Sequence, residues 1–308
     1  MSFTIANAEK NTLSSKSKQN KYSVANYQVD LNNTADSHSI IANQALGSKQ
    51  ILDLGCGVGY IGRAIKEKQA CTVHGIDIDK VALKEAQKYY DQVFLMCIGD
   101  QTDQSFLSFL HKKETYDCIV CGDIIEHLVD PGYILSILAK KLAPNGKILV
   151  SIPNIAHIDV IANLLDGKFN YGETGILDNT HLRFWTENSF YEFIENVNHH
   201  YNINLSPKLI KKTSVDPPSI DTQYFHKICG DEIFTFQNIF ELKKTKNPTI
   251  PHPHKRDNYR NISIAIKERD EFAANLAEKE KILHDIEHSL SWKITKPLRE
   301  LNKLLHRS

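Results

Sequence analysis

The stretch Ile51-Leu52-Asp53-Leu54-Gly55-Cys56-Gly57-Val58-Gly59 constrains the chain more than any other. An apolar run carrying one acid breaks into glycines at alternate positions, then resumes as Tyr60-Ile61-Gly62-Arg63-Ala64-Ile65. That order reads as a buried strand, a tight turn and the first turn of a helix. Glycine lets the backbone take positive φ and approach a ligand that a Cβ would block. The N–H groups at a helix start favour an anionic group. The stretch is a cradle for a nucleotide-type cofactor.

Downstream the chain alternates. Cys71–Ile78, Val93–Ile98, Tyr116–Cys121 and Lys147–Ile152 read as strands, with helices over Val81–Tyr90 and Tyr133–Leu142. Strand, helix, strand at this spacing means parallel βαβ units with right-handed crossovers. Ligands in such sheets lie beyond the carboxyl ends of the strands. Gly55 and Gly57, Asp77, Asp100, Asp123 and Asn154 fall at those ends. Further on, Glu187–Val197 reads as a helix, and Tyr201–Ile210 and Glu232–Leu242 as an antiparallel hairpin. The expected fold is α/β: a Rossmann-like, mostly parallel seven-stranded sheet with helices on both faces, an antiparallel last hairpin and a C-terminal helical extension.

The chain's 308 residues leave room for one sizeable α/β domain plus an appendage. We expect a domain over 1–245 with an N-terminal lid at 20–47, a linker at 246–261 rich in proline, histidine and lysine, and a helix over 262–308. In the lid, Ser37–Ala42 reads as a short helix capped by Asp36 or Ser37, with Tyr27 and His38 either lining the site or packing an N-terminal arm. Lysine plus arginine equals aspartate plus glutamate, 37 each, so no basic excess points to nucleic acid. Met1–Asn20 lacks the apolar core of a signal peptide, and no apolar run approaches the ~18 residues that span a bilayer. A cytoplasmic protein is expected. The six cysteines look like small apolar fillers. Cys118 and Cys121 spell C-x-x-C, but on a strand they point to opposite faces.

Two fingerprints overlap at the glycine turn. Gly57-Val58-Gly59-Tyr60-Ile61-Gly62 matches the dinucleotide pattern, with Asp77 about twenty residues on. Asp53-Leu54-Gly55-Cys56-Gly57 resembles motif I of class I S-adenosylmethionine (SAM) methyltransferases. An acid inside the strand decides for SAM, which carries an ammonium and a sulfonium. The resemblance extends over Ile51–Leu242: Gly75-Ile76-Asp77 is similar to motif II, Gly99-Asp100 to the adenine-contacting motif, and Asp123–Pro131 to the segment after strand four. Pro144-Asn145-Gly146-Lys147 resembles the turn into strand five, with Lys147 where a second glycine is usual. The resemblance implies that Asp77 binds the ribose hydroxyls, Asp100 the adenine amino group, and Gly55 and Gly57 pass under the methionine moiety. Asp53, Cys56, Tyr60, Ile78, Gln101 and Asp123 complete the expected cofactor shell.

A narrower likeness follows strand five. Gly167–Tyr171 and Gly175–Thr186 resemble methyltransferases of bacterial surface-polysaccharide clusters, and Ser289–Arg299 resembles a segment of polysaccharide glycosyltransferases. They imply a sugar, nucleotide-sugar or lipid-linked glycan acceptor and a glycosyltransferase partner. A sugar hydroxyl benefits from a base, usually histidine. His127, His157 and His181 are candidates; His181, beside Asp178 and Arg183, is the expected base with His127 as helper, or it knits the loop to the body. Tyr171, Asp178, Arg183, Asn154 and His157 are the expected acceptor contacts.

An alternative resembles the metal arrangement of some O-methyltransferases, small-RNA 2′-O-methyltransferases among them: Asp123, Glu126, His127 and His181 around a divalent ion. From Ile262 to Leu290 a heptad-like seam suits a coiled coil and homodimer, or docking on the body. Lys293, Lys296, Arg299, Lys303 and Arg307 interleaved with Trp292 and leucines suit an anionic membrane surface, or a helix packed on a partner. The rivals are an NAD-dependent sugar oxidoreductase, for which no Tyr-x-x-x-Lys pair is readable, a scaffold that recruits glycosyltransferases, and RNA methylation.

Overall fold

The computed structural model describes residues 27–100, 102–214 and 231–251, together with 267, 271, 274, 275, 277–282 and 284. Seven strands form one sheet: β1 Gln50–Leu54, β2 Thr72–Asp77, β3 Gln92–Leu95, β4 Tyr116–Gly122, β5 Leu142–Pro153, β6 Leu205–Ser214 and β7 Thr235–Lys244, in spatial order β3-β2-β1-β4-β5-β7-β6. β1 to β5 run parallel; β7 is antiparallel to both β5 and β6. The Rossmann-like expectation and the antiparallel hairpin are both present.

The central strands are apolar throughout because both sheet faces are covered. Alternate residues divide between two cores. Leu52, Leu54, Ile119, Cys121, Ile148 and Val150 pack under helices α5 (Pro131–Lys140) and α7 (Glu187–Tyr201). Ile51, Cys118, Val120 and Leu149 pack under α1 (Ser37–Ala45), α2 (Tyr60–Lys68) and α3 (Lys80–Ala86). Cys118 and Cys121 are thus buried, free and on opposite faces, as the strand period requires.

Several boundaries differ from the sequence reading. α3 stops at Ala86, and the chain turns through Tyr89 and Tyr90 before β3, which ends at Leu95. Asp103 then folds the following loop by accepting from Cys97 N (2.7 Å) and capping α4 (Gln104–His111), a helix the spacing does not announce. β5 begins at Leu142, its Pro-Asn-Gly segment forming a bulge against β4, and α7 extends through Tyr201, so β6 starts later than expected. Another helix without a sequence signal, α6 (Ile158–Leu165), follows β5.

Residues Ser219–Ile233 and Pro253–Ser308 belong to a second unit. Its described residues between 267 and 284 are helical and exposed, with Lys267 and Glu271 4.0 Å apart. Of the heptad seam only Lys279 is described. The rest of the seam, most of the linker, the basic tail and Met1–Asn20 lie outside the described residues. Among the described residues no helix is long and apolar enough to cross a membrane.

Candidate active site

The carboxyl ends of β1, β2, β4 and β5 open into a cavity of about 1300 Å³. Binding pockets commonly measure ~300–1,000 Å³, so this one has room for a cofactor and an acceptor together. Its two ends differ in chemistry.

At the first end the backbone is shaped around two acids. Asp77, at the end of β2, accepts from Gly57 N (2.7 Å) through Oδ2 and from Asp79 N (2.7 Å) through Oδ1. The acid expected to hold ribose hydroxyls therefore also fixes the glycine turn. Gly55 has φ +70°, and a Cβ there would fall 2.8 Å from Ile124, so the turn tolerates no side chain. Asp53 is buried to 3% exposure, and Tyr90 donates to its Oδ2 at 2.5 Å. Burial pushes this carboxyl up to about 7; the Tyr90 bond opposes the rise and neighbouring Asp77 adds to it. Gly55, Cys56, Gly57, Tyr60, Ile78, Asp100 and Asp123 all line the cavity. Asp100 accepts from Thr102 N and Oγ1, bonds that lower its pKa. Gln101 lies outside the described residues.

The dinucleotide fingerprint has a different explanation. A Cβ at Gly59, Gly62 or Gly75 would come within 3.0 Å of the Tyr90 ring. The last glycine of G-x-G-x-x-G thus clears space for a tyrosine of the same chain.

Over this end lies α1. Asp36 is its N-cap, accepting from Ser39 N. Tyr27 donates to Asp36 (3.1 Å), lies 3.2 Å from His38 Nδ1 and meets the Tyr60 ring edge-on at 4.9 Å. His38 and Tyr60 line the cavity. Lys147, where the resemblance calls for glycine, donates from Nζ to Gln44 O (2.5 Å) and so satisfies a carbonyl at the C-terminal end of α1.

The second end is built by the segments after β4 and β5. Asp123 takes left-handed backbone (φ 48°), which aspartate tolerates better than most residues. Ser151 Oγ and Gln237 Nε2 both donate to its carboxylate at 2.8 Å. Glu126 follows in a 3₁₀ turn, Ile125–His127. Its backbone carbonyl accepts from Leu182 N (2.8 Å) and Arg183 N (3.1 Å), clamping the distant loop onto this turn. The clamp brings His181 beside His127, ring centroids 4.7 Å apart.

Both imidazoles are oriented the same way. His181 Nδ1 lies 2.9 Å from Ile176 O, and His127 Nδ1 lies 3.2 Å from Thr180 O. A carbonyl can only accept, so a proton on Nδ1 satisfies these contacts, and in a neutral ring so protonated Nε2 is the acceptor; Thr180 Oγ1 also lies 3.1 Å from His127 Nδ1. Thr180 in turn donates to Asp178 Oδ1 (2.6 Å). Glu126 is 1% exposed, and among the described residues neither of its carboxyl oxygens has a hydrogen-bond partner. Desolvation, Asp123 and Asp178 hold it well above the ordinary glutamate range. Ligand atoms of Glu126, His127 and His181 lie within 4.8 Å of one another. Asp123, the fourth residue of the expected metal set, is not in this cluster; Ser151 and Gln237 occupy it instead.

Asp178, Thr180 and His181 line the cavity, but three expected acceptor contacts serve the scaffold. His157 is fully buried, caps α6 by accepting from Asp159 N (3.3 Å) and packs edge-on against Phe236. Asn154 is buried, donating to Thr235 O and accepting from Ala156 N. Arg183 is exposed and donates to Leu182 O and Val129 O. Tyr171 lies outside the cavity wall, half exposed, in a chain of rings Phe169–Tyr171–Phe184–His181 with centroids 5.6, 6.4 and 6.2 Å apart. Sequence reasoning missed Tyr90 and Gln237. The spacing of Gly59, Gly62 and Gly75 is a signal for a bulky neighbour, whereas nothing marks Gln237.

A family model described as a methyltransferase domain matches residues 29–200. The chain is 29% identical over 186 residues to the ubiquinone biosynthesis O-methyltransferase of Pasteurella multocida, spanning 53% of this chain and 75% of the relative. Against that of Idiomarina loihiensis it is 36% identical over 115 residues, spanning 35% and 44%. These relatives carry ubiquinone names, whereas the likeness after strand five pointed to polysaccharide clusters. Among solved structures, a SAM-dependent methyltransferase from Archaeoglobus fulgidus gives a TM-score of 0.45 at 15% identity over 68% of this chain and 95% of that one. The plantazolicin methyltransferase BpumL in complex with SAH gives 0.46 at 17% identity over 70% and 85%. Matched by its family model across more than half of its length, this chain belongs to the methyltransferase-domain family and is a SAM-dependent methyltransferase.

Proposed function

We propose that the chain methylates a sugar hydroxyl in glycoconjugate or surface-polysaccharide assembly, with His181 as the base. The observation that carries this reading is the second end of the cavity: Asp123, Glu126, His127, Thr174, Asp178, Thr180, His181 and Gln237 offer a dense set of polar groups. A polyhydroxylated ring can use many such partners, and each one left unpaired in a dry site costs about 1–3 kcal/mol. The exposed rings of Phe169 and Tyr171, with the part-buried Phe184 beside them, support it, offering flat apolar surface to the carbon face of a sugar.

SAM supplies an activated methyl on a sulfonium. The glycine turn, Asp77 and Asp53 would hold the adenosyl and ammonium ends, α1 would exclude water, and the second end would orient the acceptor oxygen. His181 would receive the hydroxyl proton at Nε2 as the oxygen–methyl bond forms and the methyl leaves the sulfur; its Nδ1 contact with Ile176 O fixes the aim of that nitrogen.

A second reading is favoured by one specific observation, the carboxyl of Glu126, without a hydrogen-bond partner among the described residues, beside two imidazoles whose Nδ1 atoms lie against backbone carbonyls. That outer bonding is the usual state of metal-ligating histidines. Glu126, His127 and His181 would hold a divalent cation there, which would lower the pKa of an acceptor hydroxyl.

Acceptor screening with methyl-labelled SAM tests the assignment: nucleotide sugars, lipid-linked glycans and oligosaccharides against the phenols that the relatives' name suggests. Methyl transfer to a glycan supports it; transfer to a phenol alone overturns it. Turnover that survives exhaustive chelation favours the base, and loss that zinc or magnesium restores favours the metal. From the sequence of the C-terminal segment we further propose contact with a glycosyltransferase or a second copy, on the cytoplasmic face of an anionic membrane.

A further inference from the structure

We propose that Tyr90 is a positioning residue for cofactor binding: its hydroxyl links the start of α2 to Asp53 and holds that carboxylate where the ammonium of SAM is received. The inference rests on the assignment of the cavity to SAM.

The geometry forms a relay. Gly62 N donates to Tyr90 Oη (3.0 Å), and Tyr90 Oη donates to Asp53 Oδ2 (2.5 Å). Gly62 is the third residue of α2, whose first N–H groups have no partner inside the helix. The N-cap, Gly59, has no side chain to supply one. Tyr90 fills that role from outside the helix, and accepting from Gly62 polarises its hydroxyl toward Asp53. The ring is seated between Gly59, Gly62 and Gly75, none of which leaves room for a Cβ beside it. A hydroxyl so confined has one place to aim.

Asp53 needs that support because of what faces it. Tyr90 reaches it from the loop after α3, and its charge is felt by or acts on Asp77 of β2, Cys56 of the glycine turn, and Cys118 and Cys121 on the two faces of β4. None of these is cationic, and among the described residues Asp53 forms no ion pair. A carboxylate this deeply buried is stable as an anion only with strong hydrogen bonds or a positive ligand group. SAM and its product S-adenosylhomocysteine (SAH) both bring an α-ammonium; 5′-methylthioadenosine has the same nucleoside without it.

Calorimetric titration of the full chain with SAH and with 5′-methylthioadenosine separates positioning from general damage. Tyr90→Phe keeps the ring between the glycines and removes only the hydroxyl. It should weaken SAH about tenfold, the scale of a hydrogen bond to a charged group, and leave 5′-methylthioadenosine within about twofold. Because the lost bond favoured the anion, the pH at which SAH affinity declines should also move up by about one unit. Combined with Asp53→Asn, Tyr90→Phe should add nothing further, since its effect passes through that carboxylate. Equal weakening of both ligands, or of neither, overturns the proposal. Should Tyr90→Phe not fold, Asp53→Asn decides: loss confined to SAH upholds the ammonium site, and equal loss overturns it. Failure of the unmodified chain to bind either ligand would overturn the cofactor assignment itself, a result distinct from all of these.

Discussion

His127 and His181 face each other with ring centroids 4.7 Å apart, brought together because one carbonyl, that of Glu126, accepts from both Leu182 and Arg183. A short turn after β4 and a distant loop are thereby made into one wall. Several consequences can be measured.

Replacing His181 with alanine removes the oriented Nε2 while leaving the cofactor end intact. We expect turnover on an identified acceptor to fall about 10²–10⁴-fold, the usual contribution of a general base, with SAH affinity unchanged by calorimetry. Full turnover in the variant would remove His181 from catalysis.

Under the proposed function the exposed rings of Phe169 and Tyr171 serve the acceptor alone. Tyr171→Ala should raise acceptor KM several-fold with kcat nearly constant, because the ring lies outside the cavity and contributes binding that is uniform between ground and transition states. Steady-state kinetics with varied acceptor checks this, and a matching rise in the KM for SAM would contradict it.

Gly62 offers a sharp contrast with ordinary helix behaviour. In an exposed helix, glycine to alanine stabilises by about 1 kcal/mol. Here the new methyl meets the Tyr90 ring, so Gly62→Ala should destabilise by about 1–3 kcal/mol, as overpacking does. Urea denaturation of Gly62→Ala, Tyr90→Ala and the double variant should give a non-additive cycle, with the second change costing less once the first is made.

Asp53 sets a pH dependence whose sign is fixed. Its carboxyl is raised from 3.8 to about 7, chiefly by burial. The folded chain therefore holds the proton longer than the unfolded one, and stability falls as pH rises from about 4 to about 7. Asp53→Asn has no such loss. In thermal melts without ligand, the Asn variant should equal the parent near pH 4 and exceed it by several degrees near pH 8. Saturating SAH should reverse that order at the higher pH.

The sheet and the lining of the cavity's first end were largely legible, since both are written in local pattern: apolar runs broken by Gly55, Asp77 and Asp123 at the strand ends. The lining of the second end was half legible. His127, Asp178 and His181 line the cavity, but His157 and Asn154 are turned inward to cap backbone, and Arg183 is spent on the carbonyls of Leu182 and Val129. Spacing does not reveal which polar side chains backbone groups will claim, because those bonds are decided by the tertiary path. The role of Tyr90 was hidden for the opposite reason. Its evidence lies in what its neighbours lack, a Cβ at Gly59, Gly62 and Gly75, and such absences read first as ligand clearance.

The seating of Tyr90 carries a lesson for exchanging one cofactor for another. A design that read the fingerprint literally and tried to thread a pyrophosphate along those glycines would find the ground already held by an aromatic side chain. Removing that obstacle would unhook the acid beneath it. The motif and its occupant therefore have to change together, and a search for relatives able to use a dinucleotide should look first at whether position 90 has become small.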